Sequence, residues 1–328
     1  MNETGVAWRR VGLFYGIAFG GAVLVALLVW LCRDLLGGGA LAGVALTAVL
    51  YMPLPMVAGL VTERVARRRP LIAREWQEVR HHFWRTYGRN ALVAVIVVVA
   101  IVALGFVAAW LAGLMGVPGA GHIAAGDAEL LERLRQLNPA VSAANVPPLP
   151  VLLGITMVQG LIAGVTINGL FALGEEYGWR GVLADELRPL GLVRASLVTG
   201  VLWGLWHAPI IVLGHNYGSE WAWGIPVMVT WTVPMAFLLT WARERTGSVL
   251  APALLHGAFN GVVGVFAIAV VGANVLIGLP VGIVLSVTLA VLALVVWRIP
   301  TGRSRVEASA VGEPLVEEAA VPPRASGH

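Results

Sequence analysis

Gly174-Glu175-Glu176-Tyr177-Gly178-Trp179-Arg180 ends an apolar run that begins at Leu149. Two adjacent carboxylates and a guanidinium stand there in a chain otherwise short of charge. Charged residues make up 12% and hydrophobic ones 58%, whereas soluble domains carry about 25% charge. The mean hydropathy is +0.83, which puts the chain in the polytopic, all-α membrane class. An ionisable group at membrane depth is expensive and is by default a functional-site hypothesis.

Two later apolar segments carry partners for it: Trp203-Gly204-Leu205-Trp206-His207 and His256-Gly257-Ala258-Phe259-Asn260. Each pairs residues at i and i+4, about 40° apart around a helix, so both members share a face.

A membrane helix needs about 20 mostly apolar residues. The hydropathy pattern predicts eight, over residues 11–31, 40–60, 91–115, 149–173, 192–213, 225–241, 249–271 and 275–297. The sixth contains Pro226 and Pro234, and a kink is expected at Pro234. The first is too long for a signal-peptide core and is expected to stay as a helix. Residues 1–298 form one helical membrane domain with its motif-bearing core at 149–271, and 299–328 read as a disordered cytoplasmic tail. Cys32 is the single cysteine, which excludes a disulfide framework within the chain.

The net charge of +4 does not point to nucleic acid, because the arginines lie between apolar segments and report topology. They precede the first span, crowd the second connection from Arg64 to Arg89, and recur at Arg180–Arg194, Arg243–Arg245 and Arg298–Arg305. All fall on one side if eight spans leave both termini in the cytoplasm. Two interfacial helices are expected as well. One covers 74–87 with a stripe of Trp76, Val79, Phe83 and Tyr87; the other covers 127–137 with Asp127 as N-cap and a stripe of Leu130, Leu134 and Leu137.

Glu176 and Arg180 stand at i,i+4 with the acid first, the favourable order for a helical ion pair. Glu175 lies about 140° from Arg180 and does not share it so easily. Glu176 therefore reads as structural, and Glu175 as a proton acceptor facing other helices. The plain alternative is that both acids end the helix at the cytoplasmic interface. His207 alone could be a hydrogen-bonded core histidine, and Asn260 alone could be interhelical glue. Together, the acid, two imidazoles and a carboxamide permit peptide hydrolysis: one carboxylate and one histidine hold and deprotonate a water, while a second histidine and the amide stabilise the oxyanion. A zinc ion held by Glu175, His207 and His256 is the rival mechanism. No His-Glu-x-x-His pair supports it, and it leaves Asn260 without a task, so no cofactor is favoured.

At these residues the chain resembles the CPBP family, which includes the type II CAAX prenyl endopeptidases and the bacterial bacteriocin-processing or immunity (Abi) relatives. Glu175, Glu176 and Arg180 match Glu-Glu-x-x-x-Arg; His207 matches Phe-x-x-x-His with Trp203 in place of phenylalanine; His256 and Asn260 match His-x-x-x-Asn. The resemblance implies an eight-helix intramembrane endopeptidase in a bacterial inner membrane, its site opening to the cytoplasm and its first glutamate catalytic. It also implies a membrane-associated peptide or protein substrate, and a family often labelled metalloproteases. Two other function classes stand beside it: a proton-coupled transporter, and a catalytically idle membrane immunity or scaffold protein.

Overall fold

The computed structural model describes residues 5–32 and 47–299. The described residues are predominantly helical, and seven helices are long and apolar enough to cross a membrane. Many large apolar side chains face outwards, among them Leu24, Ile96, Ile162, Leu170 and Leu294. Lipid, unlike water, makes that exposure favourable.

Helix α1 (Trp8–Cys32) is followed by a π turn at Thr47–Tyr51 and α2 (Leu54–Val65). Part of the expected second span, residues 40–46, lies outside the described residues, as does most of the expected tail. Helix α3 (Leu71–His81) lies next, and α4 (Phe83–Leu114) begins two residues after it. The expected interfacial helix over 74–87 is thus two elements, with the break at His82 (φ −136°, ψ 40°). Phe83 and Tyr87 belong to the long membrane helix, stacked on one another with ring centroids 5.5 Å apart. Helix α5 (Asp127–Leu137) forms as expected, but its N-cap is Gly126. Asp127 Oδ1 instead accepts the Leu149 amide at 2.7 Å, joining α5 to the next span.

That span is a single run over Leu149–Leu190, built from α6 (Leu149–Ala163), α7 (Gly169–Glu176) and α8 (Ala184–Leu187). Two π turns, Gly164–Asn168 and Tyr177–Leu183, interrupt it. Such turns shift side-chain phase and gather at functional sites. Here the second one starts immediately after Glu176.

Helix α9 (Leu192–Trp206) stops one residue before His207, and α10 (Ala208–Val212) resumes after it. The expected span over 192–213 is broken because Pro209 has no amide hydrogen and its ring clashes with the carbonyl four residues back. Helix α11 (Trp221–Thr246) contains both prolines, Pro226 and Pro234. Helix α12 (Leu250–Ala269) is the most buried of the long helices. A Cβ at its Gly261 or Gly257 would collide with the backbone of Gly160 or Gly169. Small residues thus bring α12 against α6 and α7 at backbone distance.

The last helix, α13 (Ile283–Val296), is shorter than the expected span over 275–297. Gly278, Pro280 and Gly282 precede it, and Asn274 Oδ1 accepts the Leu276 amide at 2.8 Å in a turn instead of a further helical stretch. A two-residue antiparallel pair, β1 (His122–Ile123) with β2 (Val270–Val271), closes the far end of α12.

Candidate active site

Glu175 is 3% exposed at the end of α7, and its Oε2 accepts the indole N–H of Trp203 at 2.8 Å. Its neighbour Glu176 is fully buried. Glu176 Oε1 accepts from Arg180 Nη1 at 3.1 Å and from His256 Nδ1 at 2.9 Å. The ion pair expected from the i,i+4 spacing is formed, and it has a third member that spacing could not show. Arg180 also lies over the Trp203 ring, with Cζ 4.4 Å from the centroid, a cation–π contact. Glu176 Oε2 and Arg180 Nε and Nη2 have no partner among the described residues.

His207 occupies the break between α9 and α10. Its amide donates to the Gly204 carbonyl at 3.2 Å, a tightened turn, and this releases the Trp203 carbonyl from the helical ladder. That carbonyl instead accepts from His207 Nδ1 at 2.8 Å. A carbonyl only accepts, so Nδ1 carries the proton and Nε2 presents a lone pair. By the same logic, the carboxylate of Glu176 takes the Nδ1–H of His256 and leaves Nε2 for other work. Trp203 packs edge-to-face on both imidazoles, with centroids 5.7 Å from His207 and 5.3 Å from His256.

Glu175, Trp203, His207, His256 and Asn260 line one cavity of about 360 Å³. Glu176 and Arg180 do not line it. They form a charged layer against Trp203, on the side from which the arginine-rich connections extend. The opposite part of the lining is Tyr51, His215, Asn216 and Val281. His215 and Asn216 lie between α10 and α11, an arginine-free connection, so the cavity reaches toward the arginine-poor end of the bundle. The Glu176–Arg180–Trp203 layer lies on the cavity's other side.

His215 was missed in the sequence because it sits in a turn, with no helical partner and no motif. Burial pushes its imidazole down to about 4. Tyr51 was missed too: its hydroxyl donates to the Trp206 carbonyl, and its ring lies 4.3 Å from the Trp206 ring. Among the described residues, no three His, Cys, Asp or Glu side chains are placed to hold a metal ion. Glu175, His207 and His256 share the cavity without converging as a ligand set.

Residues 147–262 match a family described as type II CAAX prenyl endopeptidase Rce1-like. The three motifs lie within that segment. A curated relative, "CAAX prenyl protease 2" of Methanococcus maripaludis, is 31% identical over 99 residues, covering 28% of this chain and 36% of that protein. The chain therefore spans about a third of the length of the relative it matches. No solved structure matches.

Proposed function

We propose that the protein is an intramembrane endopeptidase, cleaving a membrane-associated peptide or protein with a water activated by Glu175 and His207. The observation that carries this reading is the shared cavity of Glu175, His207, His256 and Asn260. Glu175 Oε1 makes no hydrogen bond among the described residues and takes the water's proton; His207 Nε2 holds the second hydrogen of the same water. The hydroxide attacks the scissile carbonyl carbon. The Asn260 amide donates to the resulting oxyanion, joined by Nε2–H of His256 in its doubly protonated form, with Glu176 as counter-charge. Glu175 then returns its proton to the leaving amine. Loss of one oxyanion donor is expected to cost about 3–4 kcal/mol of transition-state stabilisation.

The metal-free course is part of the proposal. Asn260 has a task as an oxyanion donor and none as a ligand, while the three residues a zinc ion would need do not converge. A bacterial inner membrane, with both termini on the arginine-rich cytoplasmic side, is the setting that the arginine pattern supports.

The test uses purified protein in detergent and an internally quenched peptide bearing a farnesylated Cys-a-a-x end, with its unprenylated twin. Glu175→Ala, His207→Ala and His256→Ala are each expected to abolish cleavage, the first two while preserving the elution profile and unfolding temperature. Full activity of Glu175→Ala would remove the reading. Stoichiometric zinc, lost on chelation together with turnover, would overturn the metal-free course.

A further inference from the structure

Trp203 stands where the resembled motif has phenylalanine, and phenylalanine has no hydrogen to donate. Here the indole Nε1–H donates to Glu175 Oε2 at 2.8 Å in a fully buried contact. The indole is itself held firmly. Trp203 is 1% exposed, the Arg180 guanidinium covers one face at 4.4 Å, and the two imidazoles pack against it edge-on. A donor fixed from so many sides fixes the carboxylate it bonds.

We infer that Trp203 is a positioning residue for Glu175: its N–H occupies Oε2, sets the plane of the carboxylate and leaves Oε1 as the oxygen that receives the proton. The inference rests on Glu175 being the general base. Two consequences follow from the geometry. A carboxylate free to rotate would present either oxygen, in varied orientations, to the water. Misplacement of a catalytic group lowers the chemical step far more than substrate binding.

The contact is charge-assisted, and its removal is expected to lower kcat about 10- to 100-fold, with KM unchanged within about twofold. Two replacements separate the hydrogen bond from packing. Trp203→Phe removes the donor and part of the ring. Replacement of Trp203 by 3-benzothienylalanine removes the donor alone, since sulfur takes the place of N–H within the same outline. Both are measured on the farnesylated quenched peptide beside Glu175→Gln. The expected result is a matching fall in kcat for both replacements, with no further fall when either is combined with Glu175→Gln.

Parental kcat in the benzothienyl protein, whatever Trp203→Phe does, would show that the ring only packs and would overturn the inference. Parental turnover by Glu175→Gln would instead bring down the general-base reading. A second readout needs no substrate. In protein labelled with ¹⁵N-tryptophan, the indole resonance absent from Trp203→Phe is expected downfield of free indole, and to move upfield in Glu175→Ala. A resonance unmoved by loss of the acid would also refute the inference.

Discussion

Removing Arg180 is expected to unfold the protein more than it disturbs the chemistry. The guanidinium is 2% exposed, and Nη1 donates to Glu176 Oε1 at 3.1 Å. Unit charges about 4 Å apart attract by about 4 kcal/mol at an effective dielectric constant of about 20. Breaking a buried pair by deleting one member typically costs about 3–5 kcal/mol, because the survivor stays buried without its counter-charge. Arg180→Ala would leave Glu176 with His256 alone and strip the cation from the Trp203 face, adding about 1–2 kcal/mol. Arg180→Met with Glu176→Gln removes both charges, keeps most of the volume, and is expected to recover most of the loss. The assay is unfolding by SDS titration in mixed micelles, followed by tryptophan fluorescence, with cleavage measured in parallel. If Arg180→Ala unfolds with the parent and is nonetheless inactive, Arg180 belongs to the chemistry and the assigned division of the two glutamates is wrong.

Protonation of His215 gives a pH signature. Its folded value of about 4 lies below the free-imidazole value of 6.5, so between these limits the unfolded chain binds more protons. Stability is therefore expected to rise with pH from about 4 to 6.5. His215→Gln should flatten that slope in unfolding curves taken at several pH values; an unchanged slope would contradict the burial of the ring. At the helix contact, Gly261→Ala drives a methyl group into the Gly160 carbonyl. It is expected to destabilise by about 1–3 kcal/mol and to lower activity by separating His256 from Glu176. A variant with parental unfolding and parental cleavage would disprove the close approach of α12.

Hydropathy located seven of the eight expected spans among the described residues, because lipid exposure demands long apolar runs whatever the packing. The i,i+4 spacings of Glu176–Arg180 and His256–Asn260 were legible because a helix turns every 3.6 residues. The features that escaped depend on backbone departures or on contacts distant in sequence. The π turn after Glu176, the break at His82 and the turn holding His215 leave hydropathy nearly unchanged. His256 bonding to Glu176 joins residues 80 apart, and no periodicity reports such a pairing. Asp127 has the residue type of an N-cap, yet its carboxylate accepts the Leu149 amide at the start of the next span.

Most enzymes recruit a separate acid or amide to orient a reactive imidazole. At His207 the main chain does this instead: the Trp203 carbonyl, left out of the ladder where α9 gives way to α10, accepts from Nδ1. The tautomer is thus set by a break in the backbone and not by a neighbouring side chain. A change that straightened the chain here would engage that carbonyl again and free the ring to present either nitrogen.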